Sequence, residues 1–305
     1  MSLRLVFMGT PDFAVPSLDI LLRNGYDIAG VVTAADKPGG RGKQLLQSAV
    51  KKYALSQNLP VLQPANLKSP DFQQELKALQ ADLQIVVAFR MLPEMVWNMP
   101  PMGTFNLHGS LLPQYRGAAP INWAVINGET ETGLTTFFLT HEIDTGDVLF
   151  QEKVCIGENE TAGELHDRMM FVGAELVLKT VRAIEAKTYQ LSVQDDQVAS
   201  KAPKIFHETC QINFHQSTVA VHNFIRGLSP YPAAWTTLQG KTVKLLRTLK
   251  VEEAHTLAPG TFVAEGKKTL RVATQDGFVQ VLEIQPEGGK RMDAASFLNG
   301  YRSWI

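Results

Sequence analysis

Short apolar runs recur along the first half of the chain, each followed by a stretch with helical spacing. Leu3-Arg4-Leu5-Val6-Phe7-Met8 stops at Gly9 and reads as a buried strand. Thr10-Pro11-Asp12 opens a predicted helix that runs to about Asn24, with Pro16 near its first turn. Ile28 to Val32 is the next strand, followed by a helix from Ser48 to Ser56, a short strand at Val61-Leu62 and a helix from Pro70 to Leu79. Leu83 to Phe89 is the clearest buried strand. Strands alternating with helices imply right-handed crossovers and a mostly parallel sheet, so the first half is expected to be a Rossmann-like α/β domain. Thr161 and Glu164 form a T-x-x-E capping box, and Leu165, Met169, Val172 and Leu176 follow it as one apolar stripe suited to core packing.

The texture changes near residue 190. Gln194 to Lys201 is polar and weakly patterned, which sets a linker at 190–207 between domains at 1–189 and 208–305. Beyond it come short strands broken by Gly and Pro, at 241–246, 260–263, 270–273 and 279–282. These predict a small C-terminal β-barrel of the OB type.

Charge sharpens that division. The 305 residues carry 29 Lys and Arg against 30 Asp and Glu, which excludes a strongly basic whole-chain nucleic-acid binder. Residues 208–305 hold 11 basic against 8 acidic residues, a net of +3, and the remainder holds 18 against 22, a net of −4. The second domain is thus the basic one, although +3 is also compatible with an ordinary solvated surface. Cys155 and Cys210 lack metal-ligand spacing and read as reduced structural thiols. No targeting leader and no window of about 18 apolar residues is evident, so a soluble cytoplasmic protein is expected.

Two segments could carry chemistry. In Thr104 to Pro113, strand alternation puts Asn106 and His108 on one face, about 6.6 Å apart along a strand that ends at Gly109. Ligands of open α/β sheets bind at such carboxyl ends. An amide and an imidazole there could bracket a carbonyl, one stabilising an oxyanion and the other moving a proton. The same spacing also fits a polar strand end whose side chains satisfy loop backbone. Asp144, in Asp144-Thr145-Gly146-Asp147, begins a turn past the strand signal at 135–138. A single Asp-Thr-Gly copy in an α/β setting lacks the second carboxylate that aspartic-protease chemistry needs. Gly9-Thr10-Pro11 is no dinucleotide fingerprint, Gly39 to Lys43 is no Walker A loop, and no H-E-x-x-H suggests a metal.

Phe7 to Ala14, Asn106 to Pro113, Tyr115 to Ile121, Asp144 to Asp147 and Pro230 to Trp235 together resemble the methionyl-tRNA formyltransferases, in order over essentially the whole chain. The Asn-x-His, Ser-Leu-Leu-Pro and downstream Asp set is shared with the wider 10-formyltetrahydrofolate-using formyltransferases. The resemblance implies a formyl donor, 10-formyltetrahydrofolate, as co-substrate, initiator methionyl-tRNA as acceptor, and no metal, membrane or obligate protein partner. It implies catalytic roles for Asn106, His108 and Asp144. Ser110, Leu111, Leu112 and Pro113, with Phe89, Arg90, Met91 and Leu92, would line the folate site, and Arg41 and Lys43 would meet the tRNA. Phe89-Arg90 departs from the Tyr-Gly common in such sequences, and His141-Glu142 stands where a Gly is frequent. A sugar-amine formyltransferase with the same trio, and an RNA-binding protein with an inactive enzyme domain, are the alternatives. The intact trio argues against the second.

Overall fold

The computed structural model describes residues 3–39 and 45–305. The first runs of the sequence become the parallel strands β1 (Arg4–Gly9), β2 (Asp27–Val32), β3 (Val61–Leu62), β4 (Leu83–Val87) and β5 (Thr104–His108). With β6 (Glu131–Phe138) and β7 (Val148–Cys155) they form one seven-stranded sheet in the order β7-β6-β5-β4-β1-β2-β3. From β3 to β5 all pairings are parallel, and β6 runs antiparallel to β5. The order 3-2-1-4-5 is that of a doubly wound fold, with its reversal between β1 and β4. The expected Rossmann-like sheet is therefore present, with an antiparallel extension at one side.

Alternation along the strands sorts the core. Val6, Met8, Val32 and Val86 pack with Leu67, Phe72, Leu76 and Leu92 on one face, while Leu5, Phe7, Ile85 and Val87 are fully buried on the other. Burial on both faces is what a parallel sheet requires.

Helices differ from expectation mainly at their ends. Asp12–Ala14 is a 3-10 turn, and α1 (Val15–Arg23) starts only after it, with Pro16 in its first turn where no amide bond is lost. Ser48 and Ser69 cap α2 (Ala49–Ser56) and α3 (Pro70–Ala78) through their hydroxyls. β4 stops two residues short of the expected Phe89, because Ala88 turns to φ 48°. The four-residue α4 (Glu94–Trp97) follows. The capping box closes as predicted. In it the Thr161 amide donates to Glu164 Oε2 at 2.9 Å, the Glu164 amide donates to Thr161 Oγ1 at 3.2 Å, and α6 (Ala162–Ala186) begins there, preceded in the chain by α5 (Pro120–Ile126).

The chain divides into two compact units. The first comprises Met1–Arg116, Gly133–Val154 and Asp167–Lys201, and the second comprises Gly117–Thr132, Cys155–His166 and Ala202–Ile305. The second unit contains α7 (Thr218–Leu228), capped by Ser217, and an antiparallel sheet closed off by α8 (Ala294–Tyr301). Its strands β8 (Ala234–Leu238), β9 (Lys241–Val251), β10 (Phe262–Glu265), β11 (Thr269–Ala273) and β12 (Phe278–Pro286) run in the order β8-β9-β12-β11-β10. Register shifts in β9 around Arg247 let that long strand bend, as bulges do in small barrels. Val221, Ile225 and Leu228 of α7 join Val243, Leu245, Val279, Val281 and Phe297 in one core. Within the same unit α5 meets α7 at Gly227, where a Cβ would lie 2.5 Å from Ile126 Cγ1.

Candidate active site

β5 carries the site. Phe105 and Leu107 face the buried side of the sheet, where Gly173 of α6 lets the helix approach: a Cβ on it would meet Leu107 at 2.7 Å. Asn106 pairs in register with Val86 and so shares its face, and His108 follows on that same face at the strand end. The two side chains that spacing singled out therefore do lie together at the carboxyl end of a central strand. The Asn106 side chain is half-buried and makes no hydrogen bond to protein among the described residues, which leaves its amide open to a ligand.

His108 is 6% exposed and held from two sides. Its Nε2 lies 2.9 Å from the Tyr115 carbonyl oxygen. Its Nδ1 lies 3.7 Å from Asp144 Oδ2, an ion-pair distance longer than a hydrogen bond, of the kind that tightens when a substrate arrives. Tyr115 and Asp144 each sit in the left-handed region, with φ 59° and 58°. Both turns are thus sharp, and both aim an oxygen at the same imidazole.

The residues expected to line the folate site divide into two groups. Ser110 is buried and its hydroxyl donates to the Gln114 carbonyl at 2.6 Å. Leu112 is also buried, and its amide donates to Thr135 Oγ1 at 3.0 Å while its carbonyl accepts from Gln151 Nε2 at 2.8 Å. Thr135 Oγ1 in turn donates to the Ser110 carbonyl at 2.6 Å. This stretch, with the half-buried Leu111 and Pro113, forms a braced turn at the end of β5.

The other group lies after β4. Arg90, Met91 and Leu92 line a cavity of about 850 Å³ together with Asn66, Leu67 and Lys68. Its size and its mixture of apolar walls with amide and cationic groups suit a ring system bearing carboxylates. Phe89 is half-buried against the core instead. Of the two departures noted in the sequence, the first braces a neighbouring loop and the second makes only a surface contact. Arg90 donates to the Pro64 and Ala65 carbonyls, with its guanidinium 5.8 Å from the Phe89 ring centroid. His141 lies 3.5 Å from Glu94 Oε1 and edge-on to Trp97 at 5.5 Å.

Arg41 and Lys43 lie outside the described residues. The segment's described ends, Lys37–Pro38 and Leu45–Leu46, pair with each other in antiparallel fashion. Beside them Lys51 and Gln63 hold the Asp36 carboxylate at 2.6 and 2.8 Å, and the Lys51 bond lowers the Asp36 pKa below its usual value. No group of His, Cys, Asp and Glu suited to a metal ion occurs among the described residues. Cys155 is exposed and Cys210 buried, and neither is in a disulfide.

Family comparisons bear on this arrangement. The family described as Formyl transferase matches residues 3–181, and the one described as Formyl transferase, C-terminal domain, matches residues 204–302. The chain belongs to the formyl transferase family. Proteins named methionyl-tRNA formyltransferase are similar to it over nearly their whole length. The one from Bacteroides thetaiotaomicron is 55% identical over 98% of this chain and 96% of its own, and that from Flavobacterium johnsoniae is 52% identical over 98% and 96%. Among solved structures, the N-formyltransferase of Helicobacter canadensis, in complex with folinic acid and dTDP-3-aminofucose, superposes with a TM-score of 0.70. It is 21% identical, over 95% of this chain and all of that one. HypX from Aquifex aeolicus in complex with tetrahydrofolic acid gives 0.67 at 18% identity, over 98% of this chain and 47% of that one. At such identities the two structures show a shared fold.

Proposed function

We propose that this protein transfers the formyl group of 10-formyltetrahydrofolate to the free amino group of methionine on initiator methionyl-tRNA. The observation that carries the reading is identity above half, across 98% of the chain, to proteins named for that activity. The folate donor and the tRNA acceptor follow from it. Work in the cytoplasm accords with the finding that no helix among the described residues is long and apolar enough to cross a membrane.

The acceptor amine is its own nucleophile, so the site needs no Ser or Cys nucleophile. It needs a group for developing negative charge and a group for a travelling proton. The amine attacks the formyl carbon, a carbon–nitrogen bond forms, and the carbonyl oxygen takes up the electron pair. Asn106 donates its amide to that oxygen. His108 accepts a proton from the attacking amine and returns one to the folate nitrogen as the old carbon–nitrogen bond breaks. Asp144 orients the imidazole and balances its charge. Arg90, Met91 and Leu92 contact the donor from the cavity after β4, with Phe89 behind them, and Ser110 to Pro113 form the rim at the end of β5. Arg41 and Lys43 meet the acceptor end of the tRNA, and the basic segment 208–305 holds its stem.

The test offers purified protein 10-formyltetrahydrofolate together with charged initiator tRNA, charged elongator tRNA or a nucleotide-linked amino sugar. Formylation of the initiator species is expected; formylation of the sugar alone would overturn the reading. For the trio, loss of an oxyanion donor costs about 100- to 1,000-fold in kcat. Asn106→Ala, His108→Ala and Asp144→Ala should each lower kcat far more than they weaken folate binding. Three folded variants with wild-type kcat would place the chemistry elsewhere.

A further inference from the structure

Residues 191–198 are exposed except for one. Gln194 is half-buried, whereas its neighbour Val193 is 82% exposed. Main-chain bonds between Ser192 and Val148, at 2.8 and 3.0 Å, lay the segment alongside β7 and turn the Gln194 side chain inward. There all four bonding positions of its amide are used. Nε2 donates to the Asp144 carbonyl at 2.9 Å and to the Gly146 carbonyl at 2.8 Å. Oε1 accepts from Arg116 Nε at 3.1 Å and from Nη2 at 2.8 Å. Arg116 is itself fixed, because its Nη2 also pairs with Asp196 at 2.8 Å and its main-chain amide donates to the Ser200 carbonyl at 2.9 Å.

This arrangement has a direction. Two carbonyl oxygens on one side can only accept, from the NH₂ end of the amide, and a guanidinium on the other can only donate, to its oxygen. Arg116 therefore prevents the amide from turning round. The carbonyls it reaches belong to the turn that carries Asp144 in the left-handed conformation, a backbone state uncommon for residues other than glycine, asparagine and aspartate. The carboxylate so placed is the one 3.7 Å from His108 Nδ1. The same segment reaches the other side of the ring, since Ser200 Oγ accepts from the Tyr115 amide at 2.8 Å and the Tyr115 carbonyl faces His108 Nε2.

We infer that Gln194, oriented by Arg116, is a positioning residue that holds the Asp144 turn so that its carboxylate faces His108 during formyl transfer. The inference rests on the catalytic reading of Asp144. Misplacing a reacting group by about 1 Å can cost roughly 100-fold in rate without weakening binding. Gln194→Met keeps length and removes both donors. Gln194→Glu keeps shape, sets a carboxylate against two carbonyl oxygens, and supplies a second variant if the Met form folds poorly.

The experiment is a double-mutant cycle with Asp144→Asn, which tolerates the same backbone conformation, read as kcat and KM for 10-formyltetrahydrofolate and charged initiator tRNA. Each Gln194 variant should lower kcat by about 10- to 100-fold with both KM values within about twofold. In the Asp144→Asn background the same change should alter kcat less than about twofold, because there is no carboxylate left to place. Arg116→Met should give a smaller loss of the same kind, and Val193→Ser none. An equal loss in both backgrounds would make Gln194 a general brace and overturn the inference, as would unchanged kcat in folded Gln194 variants. If Asp144→Asn itself retains full kcat, the catalytic reading of Asp144 fails and this inference fails with it; that outcome is separate from the first two.

Discussion

Gly146 shows how little freedom the Asp144 turn has. A Cβ at this position would lie 1.7 Å from the Phe138 carbonyl oxygen and 2.9 Å from its carbon. The Phe138 amide meanwhile donates to the Asp147 carbonyl at 3.1 Å, so the backbone on both sides is committed. Gly146→Ala must therefore displace the turn. Overpacking of that kind costs about 1–3 kcal/mol, and the shift passes to Asp144 two residues away. The expected outcome is a lower urea midpoint together with a fall in kcat larger than the rise in either KM. A variant that loses stability but keeps kcat would show that the turn tolerates displacement. At this scale the placement of Asn106 and His108 together at a strand end was legible because its signal is local, two polar residues two apart before a glycine, whereas the link to Asp144 came only from the family resemblance. Gln194 was not, because its partners are main-chain carbonyls 48 and 50 residues away and its neighbours resemble any polar connector. Thr135 and Gln151 were hidden for the same reason: they act on the backbone of Ser110 and Leu112 from other strands.

Elements with a strong local pattern formed where the sequence placed them, and the misses have physical causes. α6 followed from its capping box. The helix α7 carries an equally good Ser217 cap and a Val221, Ile225, Leu228 stripe, but it lies between the linker and the first strand signal at 241, a stretch with no element predicted from the sequence. α7 also holds a buried titratable group. His222 is 1% exposed, with Nδ1 3.0 Å from Thr248 Oγ1. Burial foremost, then the charge of Arg226 and that of Lys250, push its pKa down from 6.5 to about 4, against an opposing contribution from Glu158. The unfolded chain therefore binds a proton below pH 6.5 that the folded chain refuses. Stability from this group is full above pH 6.5 and falls as pH drops towards about 4, by up to about 3 kcal/mol. His222→Asn, which can still bond Thr248, should be less stable at pH 7.5 but should lose less on going to pH 5. Urea titrations of both proteins at the two pH values measure this, and parallel losses would exclude His222 as the source.

On the scale of the whole molecule, the charge contrast between the chain's parts becomes a statement about particular cations. In the second unit Arg247, Lys250 and Arg271 already face Glu164, Glu158, Glu253 and Glu265. Cations engaged in this way have less to offer a phosphate. Lys204, Lys241 and Lys244 have no ion pair among the described residues, and each is associated with an aromatic side chain. Lys204 Nζ lies 5.3 Å from the Phe206 ring centroid, Lys241 Nζ lies 5.0 Å from that of Trp304, and Lys244 pairs in register with Trp235, which stacks on His207. Cations interleaved with flat rings suit RNA, where phosphates and exposed bases occur together. Removing residues after Ser200 would be a poor test of this surface, since Gly117–Thr132 and Cys155–His166 belong to the same compact unit and would lose their core. Replacing Lys204, Lys241 and Lys244 with Gln leaves that core intact. Each phosphate contact contributes a slope of about −0.7 to −0.9 to the dependence of log affinity on log salt, so the triple variant should flatten that slope by about 2 to 3. Its affinity for charged initiator tRNA at low salt should fall accordingly, while its affinity for 10-formyltetrahydrofolate stays at the wild-type value. Salt titrations of tRNA binding decide the matter: an unchanged slope in the folded triple variant would remove these three lysines from the tRNA surface.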